Sequence, residues 1–231
     1  MMMAVMITGV SRGIGKALID EYREAGVKTI GVSRGNGVEM VDHDGHIQIG
    51  FDWEDFDGLG EVLERMSREQ GWKVEVLINN AGVLIKDKIL EVRYEDFEAQ
   101  MRTNVWNSLM LFRSLYNRGI IGQNGHIVNV SSMGGVQGVL KFPGLFAYSA
   151  SKAAMITLTE VLDAEFRGEG LAFNSLALGA VNTEMLNEAF PGYISQVDPE
   201  NMAKYIRQFA DGSGRFMSGK LIQVAKSNPE G

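Results

Sequence analysis

The chain contains no cysteine. That excludes disulfides, thiolate nucleophiles and cysteine-ligated zinc, and it suits a reducing interior, so a cytoplasmic location is expected. Proline is scarce, four in 231 residues, which leaves no proline-rich linker. No run approaches the roughly 20 consecutive apolar residues of a membrane span. The apolar residues 1–7 lack a basic leader and run straight into a glycine-rich turn, which reads as a buried first strand rather than a signal segment. Positive charge is in deficit, 22 Lys and Arg against 29 Asp and Glu, a net charge of −7. A dedicated nucleic-acid or anionic-membrane surface is therefore not expected. Histidine is nearly absent as well. His43, His46 and His126 show no carboxylate spacing that would make a metal site, so no metal is expected, and the three read as surface or strand-edge residues.

What the chain does have is glycine, 28 residues of it, punctuating an ordinary globular composition that is 45% hydrophobic and 22% charged. Short, mostly apolar runs recur at 5–8, 29–33, 47–51, 74–78, 126–130 and 171–176, and the stretch 216–224 looks like a last strand. Runs of that kind suit parallel strands covered on both faces. Between them lie helical stripes: Ala17, Leu18, Tyr22 and Ala25; Leu59, Val62, Leu63 and Met66; Phe97, Met101, Val105 and Leu109; and Ala153, Ile156, Leu158, Val161 and Leu162. Strand alternating with helix throughout predicts one α/β domain over 1–231, a Rossmann fold whose doubly wound parallel sheet carries helices on both faces.

The first strand ends in Thr8-Gly9, and the first helix begins near Gly13-Ile14-Gly15. A strand, a glycine turn and a helix N-terminus make an anion site, because unpaired N–H groups point outward and missing Cβ atoms let a pyrophosphate approach. A NAD site usually carries an acid at the end of the second strand for the ribose 2′-hydroxyl. Here that place reads Gly31-Val32-Ser33-Arg34-Gly35-Asn36, without a carboxylate until Glu39. Arg34 suits a 2′-phosphate, and Arg12 inside the turn is placed to close on the same group, so NADP(H) is the expected cofactor.

Four motifs in order resemble the short-chain dehydrogenase/reductase family: Thr8-Gly9-Val10-Ser11-Arg12-Gly13-Ile14-Gly15, Asn79-Asn80-Ala81-Gly82, Asn129-Val130-Ser131-Ser132 and Tyr148-Ser149-Ala150-Ser151-Lys152. The resemblance implies cofactor contacts from Gly9, Ser11, Arg12, Gly13, Ile14 and Gly15. It implies further ones from Ser33, Arg34, Asp52, Trp53, Asn80, Ala81, Gly82, Gly179, Val181 and Thr183, with Asn79 lining the sheet beside them. It also implies catalysis by Asn104 in a proton relay, Ser132 polarising the substrate oxygen, Tyr148 as acid/base and Lys152 assisting it while gripping the nicotinamide ribose. Between Ser131 and Ser132 the family pattern favours the second. Tyr148 and Lys152 are four apart on a helical segment and so share a face. A lysine ammonium beside the phenol, together with the positive nicotinamide of the oxidised cofactor, is expected to lower its titration from near 10.

The family's usual Pro-Gly after the sixth strand is Leu178-Gly179 here, and the Asp-Gly-Gly ending of tetrameric relatives is missing, so monomer and homodimer both stay open. A short lid is expected over 183–198. Leu140 and Phe142 from the rim 133–144, with Met185 from the lid, are placed against substrate, and their character points to an apolar aldehyde or ketone. Thirteen methionines read as core filler or pocket wall. The leading expectation is NADPH-dependent carbonyl reduction. Two alternatives are a non-catalytic dinucleotide sensor and an alcohol dehydrogenase working in the oxidative direction.

Overall fold

The computed structural model describes residues 2–35, 39–43 and 46–226; Asn36 and the side chain of His43 lie outside the described residues. One sheet holds eight strands: β1 (Met2–Thr8), β2 (Thr29–Arg34), β3 (Glu39–His43), β4 (His46–Phe51), β5 (Trp72–Asn79), β6 (Ile121–Ser132), β7 (Ala172–Leu178) and β8 (Lys220–Val224). Their spatial order is β3-β4-β2-β1-β5-β6-β7-β8. Seven are mutually parallel, and β3 alone pairs antiparallel, with β4, at one edge. The apolar-run criterion does not reveal β3, because Glu39-Met40-Val41-Asp42-His43 mixes charged and apolar side chains and reads as a connection.

Helices cover both faces. On one side α2 (Phe56–Gln70), α4 (Asn107–Asn117) and α5 (Phe146–Glu165) bring Leu63, Leu115 and Leu162 against Ala4 and Met6 of β1, Trp72 and Phe173. On the other, α1 (Gly13–Glu24) and α7 (Pro199–Gly212) bring Leu18, Tyr22 and Ile206 against Val5 and Ile7 of the same strand. Successive β1 side chains therefore feed opposite cores, which is why the strand is apolar without interruption. Asp55 starts α2 by accepting the Gly58 N–H at 2.9 Å, and Gly71 ends it at φ 68°.

The third stripe is displaced. Between α3 (Tyr94–Met101) and α4, residues Arg102–Trp106 form a π-helical turn. Phe97, Met101, Val105 and Leu109 end up only half-buried, while Gln100, Asn104, Asn107 and Leu111 face inward. The wider turn shifts the register of the helix and aims a polar side chain at the sheet.

His126 requires a correction: it is buried, 4% exposed, because β6 is covered on both faces. Its Nδ1 lies 2.8 Å from the Ala210 carbonyl and its Nε2 2.9 Å from the Asn174 amide, partners that fix a neutral ring with the proton on Nδ1. Burial holds its titration below the ordinary 6.5, against the weaker upward pull of the Ala210 hydrogen bond. In the interval below 6.5 the unfolded chain binds a proton that the folded chain refuses, so stability falls as pH falls. Denaturant melts from about pH 7 to about pH 5 are expected to show a steeper loss for the wild type than for His126→Gln; parallel slopes would contradict this.

Among the described residues, no helix is long and apolar enough to cross a membrane.

Candidate active site

The carboxyl ends of β1, β5 and β6 meet at the point where the strand order reverses, and the sequence motifs collect there. Gly9 leaves β1 at φ 73°, and a Cβ on it would sit 2.7 Å from the Cα of Ala81. At Gly15 a Cβ would overlap the Gly9 carbonyl oxygen and come within 2.6 Å of the Asn80 amide. The turn is thus folded on itself and pressed against the end of β5, a packing that only glycine permits. Thr8, which the sequence reading treats merely as part of the motif, holds the two together. Its Oγ1 accepts the Asn80 and Ala81 N–H groups at 3.0 and 2.9 Å, while Asn80 Nδ2 donates to the Thr8 and Gly9 carbonyls. Gly13 opens α1 at φ 56° with Thr183 beside it; Ser11 is exposed and Ile14 half-buried. Asn79 lies deeper than expected. It is buried and donates to Asn129 at 2.8 Å, and Asn129 donates in turn to Thr159, so its amide braces strands rather than facing the turn.

Arg34 is exposed on the wall of a cleft of about 720 Å³, together with Gly35, Phe51, Asp52, Trp53, Glu54, Ala99, Arg102 and Thr103. Ser33 is half-buried next to it in β2. Trp53 stands on Phe51 with ring centroids 4.5 Å apart. Arg12 is not among the lining residues: its Nη1 donates to Glu188 at 2.7 Å, tying the glycine turn to α6 (Glu184–Ala189). The second guanidinium of the cleft is Arg102. It sits on the helix after β5, and nothing in the sequence pattern separates it from other surface arginines.

Tyr148 and Lys152 stand on α5, and Ser132 ends β6. The Ser132 hydroxyl interacts with the Tyr148 phenol so as to favour its ionised form, and it accepts the Gly134 N–H at 3.2 Å. Ser131 is occupied elsewhere, buried and donating to the Lys152 carbonyl at 2.8 Å, which leaves Ser132 as the serine that meets the tyrosine. Gly135 makes this approach feasible, since a Cβ there would lie 2.6 Å from the Ala153 nitrogen on α5. Lys152 is 4% exposed and its Nζ donates to the Val130 carbonyl at 2.9 Å. Asn104, fully buried in the π-helical turn, accepts from Val83 N–H at 2.8 Å and donates to the Val83 carbonyl and to Ser151 Oγ, each at 2.9 Å. Ser151, absent from the expected set, passes the chain on by donating to the Tyr148 carbonyl. A Cβ on Gly82 would lie 3.3 Å from both Asn104 Oδ1 and Lys152 Nζ, so the bare backbone lets these two groups gather around it.

The protein's own groups, without a cofactor, hold the phenol's titration up. Burial pushes Tyr148 up, and the Ser132 hydrogen bond only partly offsets it. Lys152 Nζ sits 5.8 Å from the centre of the tyrosine ring and gives its hydrogen bond to a backbone carbonyl, so its charge does not dominate at the phenol oxygen. The same burial brings Lys152 down from 10.5 to about 8. At neutral pH the site therefore holds a protonated phenol beside a mostly charged lysine, a set ready to deliver a proton.

Around this centre, Thr183 caps α6 by accepting the Leu186 N–H, and Gly179 donates to the Val224 carbonyl. Val181 is buried in the core with α7, so only its backbone is available to a cofactor. Phe142 meets Phe190, just past α6, edge to face at 5.5 Å, while Met185 is half-buried and Leu140 is exposed at 51%. The sequence reading misses Lys86. Its Nζ donates to the Ala189 carbonyl at 2.9 Å and lies 4.7 Å from the Phe190 ring centre, which puts a cation in an otherwise apolar wall.

Comparison with known proteins agrees with this layout. The family described as short chain dehydrogenase matches residues 3–193. The chain is 27% identical over 233 residues to 3-oxoacyl-(acyl-carrier-protein) reductase of Vibrio cholerae, covering 95% of this chain and 94% of that protein. In three dimensions it is similar to a 4-hydroxyisoleucine dehydrogenase mutant complexed with NADH and succinate (TM-score 0.81, 22% identity, 99% of each chain). It is also similar to ElxO with NADP bound (TM-score 0.79, 24% identity, 97% of each chain).

Proposed function

The chain belongs to the short chain dehydrogenase family, and from that premise we propose that it is an NADPH-dependent oxidoreductase that reduces an aldehyde or ketone to the alcohol. The observation carrying this reading is the convergence of Ser132, Tyr148, Lys152 and Asn104 beside the glycine turn. The residues present fit a nicotinamide dinucleotide. The turn has no Cβ where a pyrophosphate would approach, and the end of β2 offers Arg34 in place of a carboxylate.

When bound, the nicotinamide supplies the hydride. Ser132 then donates a hydrogen bond to the carbonyl oxygen and holds it next to the phenol. Tyr148, kept protonated by burial, gives its proton to that oxygen as negative charge develops there. Lys152 sets its positive charge beneath the ring, where it stabilises the phenolate left behind. Asn104, held by three hydrogen bonds, is placed to steady the Lys152 side of the site and to support a water that restores the proton. A dinucleotide sensor would have no use for this constellation. The absence of a carboxylate after β2 until Glu39 favours NADP(H), whose pools support reduction over alcohol oxidation. The Phe142–Phe190 pair and Met185 support an apolar carbonyl compound as the substrate class.

A panel of aldehydes and ketones, followed by loss of the NADPH absorbance, tests the activity; no turnover of any member would refute the reading. For the cofactor, Arg34→Ala is expected to weaken NADPH about tenfold while NADH stays within about twofold. Titrations giving an unchanged NADPH-to-NADH ratio would count against it.

A further inference from the structure

The cleft that presents Arg34 carries four charged side chains: Arg34 and Arg102 against Asp52 and Glu54. With Arg34 alone, two carboxylates would outnumber the cation and oppose an incoming phosphate dianion. We propose that Arg102 is the second cation for the cofactor's 2′-phosphate and that Glu54 holds it in reserve. This inference rests on the NADPH reading and names a residue that determines its specificity.

Three observations lead to it. First, Arg102 lines the same cleft as Arg34, one at the end of a strand and the other at the start of the π-helical turn, so a phosphate bound there can be reached from two elements. That turn also buries Asn104, whose three hydrogen bonds give Arg102 a fixed base. Second, Arg102 Nη1 lies 3.3 Å from Glu54 Oε1, with side chains 48% and 76% exposed. A pair so open to water is weak and readily exchanged. A phosphate dianion brings more charge and three acceptor oxygens, so it displaces the single carboxylate. Third, Arg12, the other candidate for this role, does not line the cleft.

The test titrates the full-length protein with NADPH, NADH, 2′,5′-ADP and 5′-AMP by calorimetry. Arg102→Ala is expected to weaken NADPH and 2′,5′-ADP about tenfold, with NADH and 5′-AMP within about twofold. Glu54→Gln is expected to do the opposite and tighten NADPH about threefold, because it frees Arg102 and removes a repelling charge. Equal weakening of all four ligands by Arg102→Ala would assign Arg102 to adenine packing and overturn the proposal; no change in any would overturn it too. If Arg102→Ala does not fold, Glu54→Gln still decides, since failure to tighten NADPH refutes the exchange. Arg34→Ala separates the two levels. Should it shift the NADPH-to-NADH ratio while Arg102→Ala does not, only this inference falls; should neither shift it, the NADPH reading falls as well.

Discussion

Replacing Tyr148 with phenylalanine is expected to cut carbonyl turnover about 10³-fold while NADPH affinity stays within about twofold. The change deletes one oxygen and keeps the ring, so its packing over Lys152 survives. What disappears is the proton that Ser132 helps to aim. The loss is large because no other described group that meets Ser132 carries a replaceable acid proton. A thousandfold corresponds to about 4 kcal/mol of transition-state stabilisation, the size expected for one positioned acid. Stopped-flow turnover and a parallel binding titration would check it. A variant turning over within about tenfold of wild type would remove Tyr148 from the mechanism.

Much of this site is legible in the chain because its requirements are local. Continuous apolar runs announce strands buried on both faces, and β1 shows why, with Val5 and Ile7 in one core and Ala4 and Met6 in the other. The glycine spacing follows from backbone against backbone at Gly9 and Gly15, and the four-residue interval of Tyr148 and Lys152 follows from helix geometry. What stays hidden depends on partners distant in sequence. The ion pair of Arg12 with Glu188, 176 residues away, is one such contact. Ser131 and Ser132 are equivalent as letters; the Lys152 carbonyl occupies the first and leaves the second to the phenol. Spacing alone cannot foresee the π-helical turn, so the stripe through Phe97 and Met101 suggests the wrong inward face. His126 looks like a surface residue until Ala210 and Asn174 are found to saturate both ring nitrogens. Desolvation of Tyr148, which raises its titration, is equally invisible to spacing alone.

That depth makes Lys152→Met a test in which stability and activity move oppositely. Lys152 is 4% exposed, and its titration falls from 10.5 to about 8, so keeping it charged in the folded protein at neutral pH costs about 3 kcal/mol. Methionine fills a similar volume without the charge and gives up only the hydrogen bond to the Val130 carbonyl. The cofactor-free variant is therefore expected to be more stable than wild type by about 1–3 kcal/mol at about pH 7, while turnover drops about 10²–10³-fold. The pH dependence gives the sign independently. Between about 8 and 10.5 the folded wild type releases the lysine proton while the unfolded chain keeps it, so wild-type stability rises with pH relative to the variant and the gap closes across that interval. Urea melts of both proteins at about pH 7 and about pH 10 measure it directly. A variant less stable than wild type at neutral pH, with a gap indifferent to pH, would mean that the ammonium is not strained by its burial and that Lys152 is retained for packing rather than for the proton transfer it serves.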